Sequence, residues 1–497
     1  MKQETSLARR TLLKSSLCAM ASAGLLGSAS AAQSRTTTGS KEHKFDVVVV
    51  GAGCAGLVCA IEAHDLGASV CVIEKADRPD GNAIYSQGGI CAWGTKIQKA
   101  AGVKDTFQDF YDSMMKVSSY RADPHLTRTY AEHISEDVDW LWEKMGVPFM
   151  EEVYRNPWPK LGREIRTQLQ GLTGGAVLIQ TLLKQAQQRK IPFFYERKAV
   201  KLLTGERGEV TGVRTLNDEI GYETFIANGG VLLATGGFSA NSAMVDRYIG
   251  GWASRLALRG SRNTTGENVT LTEPLFAKMM HMDQFHSGPI ISETHVNPAD
   301  ILNSGYGVIV SLQGKRFVDE SATYIIKAKG CARLTAENRA YCIVDSQCKP
   351  LDRVIPTFDK LNSPYGKADT LEELCKKVGL PVEETLVSLK KYNDAVKAGK
   401  LDKLDPPNHY VKPVVIEKGP FYAVPYEGGM TATFGGPLIN VKAEVQNLEG
   451  HTIRGLYAAG NAAGGLFFND YIGGSQLGAA TVFGRIAARE MKKRAKA

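Results

Sequence analysis

The stretch from Lys44 to Glu74 constrains this chain more than any other. Val47–Val50 is an apolar, β-branched run that reads as a buried parallel strand. It leads directly into Gly51-Ala52-Gly53-Cys54-Ala55-Gly56, and the helical pattern LVCAIEAHDLG follows. A second strand, Ser69–Ile73, ends at Glu74. Strand, glycines, helix, strand and acid in this order form a dinucleotide-binding fingerprint. Gly51 makes the tight turn, Gly53 lets backbone approach the pyrophosphate, and Gly56 lets the helix pack on the strand. The helix N-terminus offers oriented N–H groups to the phosphates, and Glu74 accepts the ribose hydroxyls. The fold class that follows is α/β. FAD and NAD share this fingerprint, so it does not choose between them.

The 497 residues allow several domains at roughly 100–200 residues each. A net charge of +8 is mild for this length and no long basic run occurs, which argues against nucleic acid as a partner. No run of roughly 18 apolar residues appears, so no membrane span is expected. The nine cysteines form no CxxC pair and no zinc spacing, so no metal site is expected. Cys54, Cys59 and Cys71 read as small buried hydrophobes, and Cys342 and Cys348 are the nearest disulfide candidates. At the N-terminus, Arg9-Arg10 precedes a weakly apolar run, Leu12 to Leu26, and a small-residue exit at Ala29-Ser30-Ala31. Residues 1–31 therefore resemble a twin-arginine export signal, with the mature chain starting near Ala32 and residing in the periplasm.

Later motifs narrow the cofactor. Gly81-Asn82 and Ser86-Gln87-Gly88-Gly89-Ile90 are followed by Leu233-Ala234-Thr235-Gly236-Gly237-Phe238, then by Gly455-Leu456-Tyr457-Ala458-Ala459-Gly460. Gly473-Gly474 and Val482-Phe483-Gly484-Arg485 complete the series. In this order they resemble the fumarate reductase/succinate dehydrogenase flavoprotein family over nearly all of residues 44–490. The resemblance implies FAD. It sets the cofactor against the fingerprint residues Gly51, Ala52, Gly53, Ala55, Gly56, Glu74 and Lys75, and against the loop residues Asn82, Ala83, Ser86, Gln87, Gly88 and Gly89. Val200, Ala234, Thr235, Gly236, Gly460, Asn461, Ser475 and Leu477 complete that set. Membrane-bound members attach FAD through a histidine; that position is Asn82 here, which implies noncovalent FAD.

The family fold is a Rossmann-type FAD-binding domain interrupted by an α+β capping domain. The expected division is 44–285 and 433–497 for the FAD domain, with 286–432 as the cap. Two cap helices are legible: Asp369-Thr370-Leu371-Glu372 is capping-box-like, and Pro381 opens the next helix at a first-turn position. Substrate is expected between cap and flavin. No stretch is left over for a haem or FMN domain, so the resemblance implies a separate electron donor, a cytochrome or flavoprotein.

The family reaction is hydride transfer from reduced flavin to one carbon of an activated double bond, while a side chain protonates its neighbour. The position of the family's proton-donating arginine, after Arg316-Phe317-Val318-Asp319-Glu320, holds Tyr324. The position of a carboxylate-gripping arginine, before Gly473-Gly474, holds Tyr471. A substrate-binding histidine becomes Ala432 and a relay arginine becomes Val296, whereas Glu293 keeps a relay carboxylate and His286 keeps its identity. Tyrosine offers one neutral donor where arginine offers a charged fork, so a dicarboxylate is poorly matched. A phenol, protonated at neutral pH, can still protonate a carbanion or donate to a developing enolate. The 3-ketosteroid Δ1-dehydrogenases resemble this chain at both tyrosines. The implied substrate is an enone or an aryl acrylate rather than fumarate, with Tyr324, Tyr471, His286 and Glu293 as the catalytic set. Arg163, Arg166, Arg262 and Arg333 are the arginines considered for restoring a carboxylate contact. A ketosteroid-type dehydrogenase and a non-catalytic electron carrier are the alternatives.

Overall fold

The computed structural model describes residues 41–155, 163–167 and 174–496. The export segment, residues 1–31, lies outside the described residues.

The first strand, Lys41–Val50, sits in the middle of an eight-stranded sheet. It pairs in parallel with Val70–Ile73 on one side (Val47 opposite Val70) and with Gly221–Leu233 on the other (Val50 opposite Leu233). Thr452–Ala458 and Phe193–Phe194 extend the parallel set outward. Chain direction therefore brings the carboxyl ends at Val50, Ile73, Leu233 and Ala458 to one edge, where open α/β sheets bind their ligands. Val47, Val48 and Val49 are fully buried, as strands covered on both faces require. The second strand starts at Val70, one residue later than its sequence suggests. Ser69 is drawn off by Asp46: the Asp46 N–H donates to Ser69 Oγ (2.8 Å) and the Ser69 N–H to Asp46 Oδ2 (2.9 Å).

The helix Cys54–Asp65 is buried along its first ten residues, because the C-terminal helix Ser475–Lys496 packs on it. A Cβ on Gly56 would stand 1.9 Å from the Gly51 carbonyl oxygen, so only glycine permits this approach. Gly51 itself has φ +110°, and a side chain there would strike the Ala234 carbonyl at 2.4 Å.

A second, six-stranded sheet is built around one long strand, Phe421–Thr433. Against it lie Phe285–Ile290, Ala340–Asp345, Gly366–Ala368 and the two-residue strand Ala257–Leu258. His286 stands opposite Ala432, and the register breaks immediately after it. This sheet has its own core, including Val308, Ile343, Val424 and Tyr426. Thr370 caps the helix Leu371–Val378, accepting from the Glu373 N–H, as its sequence predicts. Pro381 is the N-cap of Val382–Ala398 rather than a first-turn residue, a one-position difference. None of the eight described cysteines forms a disulfide, Cys342 and Cys348 included, and all eight are buried. No helix among the described residues is long and apolar enough to cross a membrane.

Candidate active site

One cavity of about 1900 Å³ runs from the carboxyl edge of the parallel sheet to the second sheet. Gly51, Gly53, Ala55, Glu74, Lys75, Asn82, Ala83, Ser86, Gln87, Gly88 and Gly89 line it, as do Ala234, Thr235, Gly236, Gly460, Asn461 and Leu477. His286, Tyr324 and Tyr471 line the same space. Ala52, Gly56 and Ser475 do not reach the wall but shape it: the Ala52 N–H donates to Glu74 Oε2 (2.8 Å) and Ser475 Oγ donates to the Ile472 carbonyl (2.6 Å). Two expected residues lie elsewhere. The Val200 side chain is exposed at a break in strand register, and Ala199 takes the wall position instead. Glu293 is on the surface, ion-paired with Arg339 at 2.7 Å and absent from the cavity wall.

The dinucleotide end has the fit of a cofactor cradle. Gly175 opens the helix Gly174–Gln188 with no room for a side chain, since its Cβ would lie 1.8 Å from the Ala83 carbonyl. Gln476, on the wall, has a buried Nε2 with no partner among the described residues. Burial raises the Glu74 pKa, and N–H donation from Ala52 and Ala76 opposes that rise. Lys75 is held by Glu267 at 2.8 Å.

At the other end, the Tyr324 hydroxyl lies 3.3 Å from His286 Nε2 and the Tyr471 hydroxyl 3.5 Å from the same atom. The His286 and Tyr471 rings meet edge-on, with centroids 4.7 Å apart. His286 is buried, and burial first, then the nearby Arg259 and Lys329 cations, hold its pKa well below the ordinary value. It is therefore a neutral imidazole at physiological pH.

Local structure explains how two tyrosines separated in sequence converge. Tyr324 is the first residue of the helix Tyr324–Leu334, and Thr323 caps it. Thr323 Oγ1 donates to Asp470 Oδ2 (2.7 Å), and Asp470 Oδ1 accepts the Tyr471 N–H (2.8 Å). One carboxylate thus ties the two segments together. Upstream, Arg316 and Glu320 pair through two hydrogen bonds of 2.8 and 2.7 Å inside the fold. Glu320 also accepts from Asn408 (2.9 Å), so this motif pair fixes the loop before Tyr324.

A family described as FAD binding domain matches residues 46–477. This chain belongs to that family. The flavoprotein is 31% identical over 460 residues to the NADH:fumarate oxidoreductase of Klebsiella pneumoniae, covering 91% of this chain but 48% of that protein, about half its length. It is 28% identical to the vinyl phenol reductase of Lactiplantibacillus plantarum, covering 90% of this chain and 96% of the relative. A flavocytochrome c3 fumarate reductase in its open conformation superimposes with a TM-score of 0.77 at 29% identity, over 91% of this chain and 79% of that one. The 3-ketosteroid-Δ4-(5α)-dehydrogenase of Rhodococcus jostii gives 0.75 at 27%, over 92% and 99%. The flavoprotein is an FAD-binding oxidoreductase of the Rossmann-type fold.

One cation beside the tyrosine–histidine cluster is not legible in the sequence. Arg262 and Arg333 are both exposed, and neither lines the cavity. Of the arginines on the flavoprotein's cavity wall, Arg197 is paired with Glu223, and the other, Arg259, is marked by no motif. Its N–H donates to the Met430 carbonyl and its guanidinium to Thr431 Oγ1, both at 2.8 Å. Asn82 ties its cofactor loop to the second sheet and to the segment after Leu258, donating to the Thr431 carbonyl (2.8 Å) and accepting the Ser261 N–H (2.8 Å).

Proposed function

We propose that this chain is an exported, FAD-dependent reductase that saturates an activated C=C bond, an enone or aryl acrylate rather than fumarate. The observation that carries this reading is the convergence of two phenol hydroxyls on one neutral, buried imidazole in the cavity that also holds the dinucleotide cradle. When bound, reduced FAD supplies a hydride to one carbon of the double bond. Tyr324 gives its hydroxyl proton to the neighbouring carbon, which takes up the displaced π pair. His286 Nε2 orients that hydroxyl, and Tyr471 holds the substrate's activating group from the other side. Glu293 takes no part, since it faces solvent beside Arg339. A separate electron donor, a cytochrome or flavoprotein, reduces the flavin between turnovers.

FAD is held noncovalently. Asn82, at the attachment position, carries an amide with no nucleophilic ring nitrogen, and both its ends are engaged in hydrogen bonds to protein. Residues 286–432 act as the cap over the flavin, and residues 1–31 direct the chain to the periplasm by the twin-arginine route.

The test is anaerobic. FAD-loaded protein receives reduced viologen and, in turn, fumarate, an aryl acrylate and an enone. Oxidation with the aryl acrylate or enone but not fumarate is the expected result; fumarate turnover alone defeats the reading. Tyr324→Phe should lose about 10²-fold in kcat while retaining flavin, because it removes the general acid and little else. A ketosteroid-type dehydrogenase would use the same groups in reverse, a reading favoured by the likeness to the Rhodococcus enzyme. Initial rates of viologen oxidation against dye-linked oxidation of the saturated product decide the direction.

A further inference from the structure

Arg259 is placed by construction rather than by chance. Its backbone follows the short strand Ala257–Leu258, which pairs with Gly429–Met430. Its side chain then lies in a slot across two facing glycines, Gly288 and Gly429, on paired strands of the second sheet. A Cβ at Gly429 would lie 2.4 Å from Arg259 Cδ, and one at Gly288 only 1.7 Å from an Arg259 guanidinium nitrogen. The slot exists only because both positions are glycine. Thr431 fixes the guanidinium at its end, on the cavity wall.

Other cations nearby are occupied. Lys329 donates to the Asn469 carbonyl and lies 4.8 Å from the Phe285 ring centre. Arg316 is paired with Glu320. Arg259 has no carboxylate partner among the described residues, and its only charged-form support from side chains is Thr431 and the two tyrosines. Arg259 is half-buried on the cavity wall, and a guanidinium held there without a counter-charge favours an anion beside it. The guanidinium fork matches a planar carboxylate.

We infer that Arg259 is the substrate's carboxylate anchor, so that the reducible substrate is an α,β-unsaturated monocarboxylate rather than a neutral enone or a dicarboxylate. This rests on the C=C reductase reading above and selects between its two substrate classes. It also accounts for the two family arginines replaced by Tyr324 and Tyr471: one anion needs one guanidinium, placed from a different strand. A second carboxylate would face phenols with no cation to meet it.

The test reads binding, so it does not depend on turnover. Oxidised, FAD-loaded protein is titrated with cinnamate and with cinnamamide, its neutral isostere, following the flavin absorbance band. The wild type should bind cinnamate at least tenfold more tightly than cinnamamide. Arg259→Gln should weaken cinnamate roughly 10- to 100-fold, as expected for lost charged hydrogen bonds, and leave cinnamamide within threefold. Arg259→Lys should recover part of the loss. Unchanged cinnamamide binding also shows that the variant is folded. Equal wild-type affinity for acid and amide would overturn the inference, as would equal weakening of both by Arg259→Gln. Fumarate binding as tightly as cinnamate would overturn its monocarboxylate part. If cinnamate binds as stated but no unsaturated compound is reduced by the viologen-loaded protein, the reductase reading fails and the anchor stands.

Discussion

An imidazole nitrogen that faces two phenols at 3.3 and 3.5 Å serves as their shared acceptor or donor, and its protonation would disturb both. Burial and two nearby cations keep His286 neutral, with a folded pKa well below 6.5. The sign of the stability effect follows. Below pH 6.5 a histidine in the unfolded chain takes up a proton that His286 refuses, so stability falls as pH falls. Above that pH neither state binds the proton and the contribution is flat. The limiting slope is about 1.4 kcal/mol per pH unit. Urea denaturation at several pH values between 5 and 7 should show wild type losing more stability than His286→Gln over that window. A parallel loss in the two proteins would mean that His286 is protonated in the fold. Of the residues in this cluster, the tyrosines and the histidine are legible from motif order. Arg259 is not, because its place comes from pairing with Gly429–Met430 and from the absence of side chains at two distant glycines.

Among the elements, the long strand Phe421–Thr433 does most to shape the site. It carries Gly429 of the arginine slot, Thr431 of the arginine contact and Ala432 opposite His286. Gly288→Ala is the informative substitution on its partner strand. Its new methyl group meets the far end of a flexible side chain rather than backbone, so Arg259 should move and the sheet should survive. The expected outcome is cinnamate affinity reduced about tenfold or more with little change in the urea midpoint, for the same charged-contact reason. Cap helices such as Leu371–Val378 could be read from sequence because a threonine cap is a local signal. The convergence of Tyr324 and Tyr471 is legible only through the family resemblance and not from any local signal, since it depends on a Thr323–Asp470 hydrogen bond across 147 residues.

At the scale of the whole molecule, the parallel sheet is closed by helices locked through buried charge. Arg485, 6% exposed, pairs with Glu62 at 3.0 Å and contacts Asp137, joining the helices Ser475–Lys496, Cys54–Asp65 and Pro124–Glu143. Arg489 adds a 2.7 Å contact to Glu62. Arg485→Met would strand the buried Asp137 carboxylate, leave Glu62 to Arg489 alone, and should destabilise the protein by about 3–5 kcal/mol, measured by urea denaturation. A loss below about 1 kcal/mol would mean that water reaches the cluster. The dinucleotide half of the fold was legible because its strand–glycine–helix unit is local and periodic. The second sheet was legible only in outline, as its strands pair across long intervals around Phe421–Thr433.

The continuity of the single cavity couples its two occupants. On the function proposed above, cofactor and substrate would share one undivided space, and the flavin would form part of the surface against which the substrate rests. Thermodynamic linkage then makes the effect mutual: whatever factor FAD contributes to substrate affinity, substrate returns to FAD affinity. Dilution in the presence of cinnamate should slow the escape of FAD, and stripped protein should hold cinnamate more weakly by the same factor. A cell short of the unsaturated acid would then also be slowly emptying this enzyme of its cofactor.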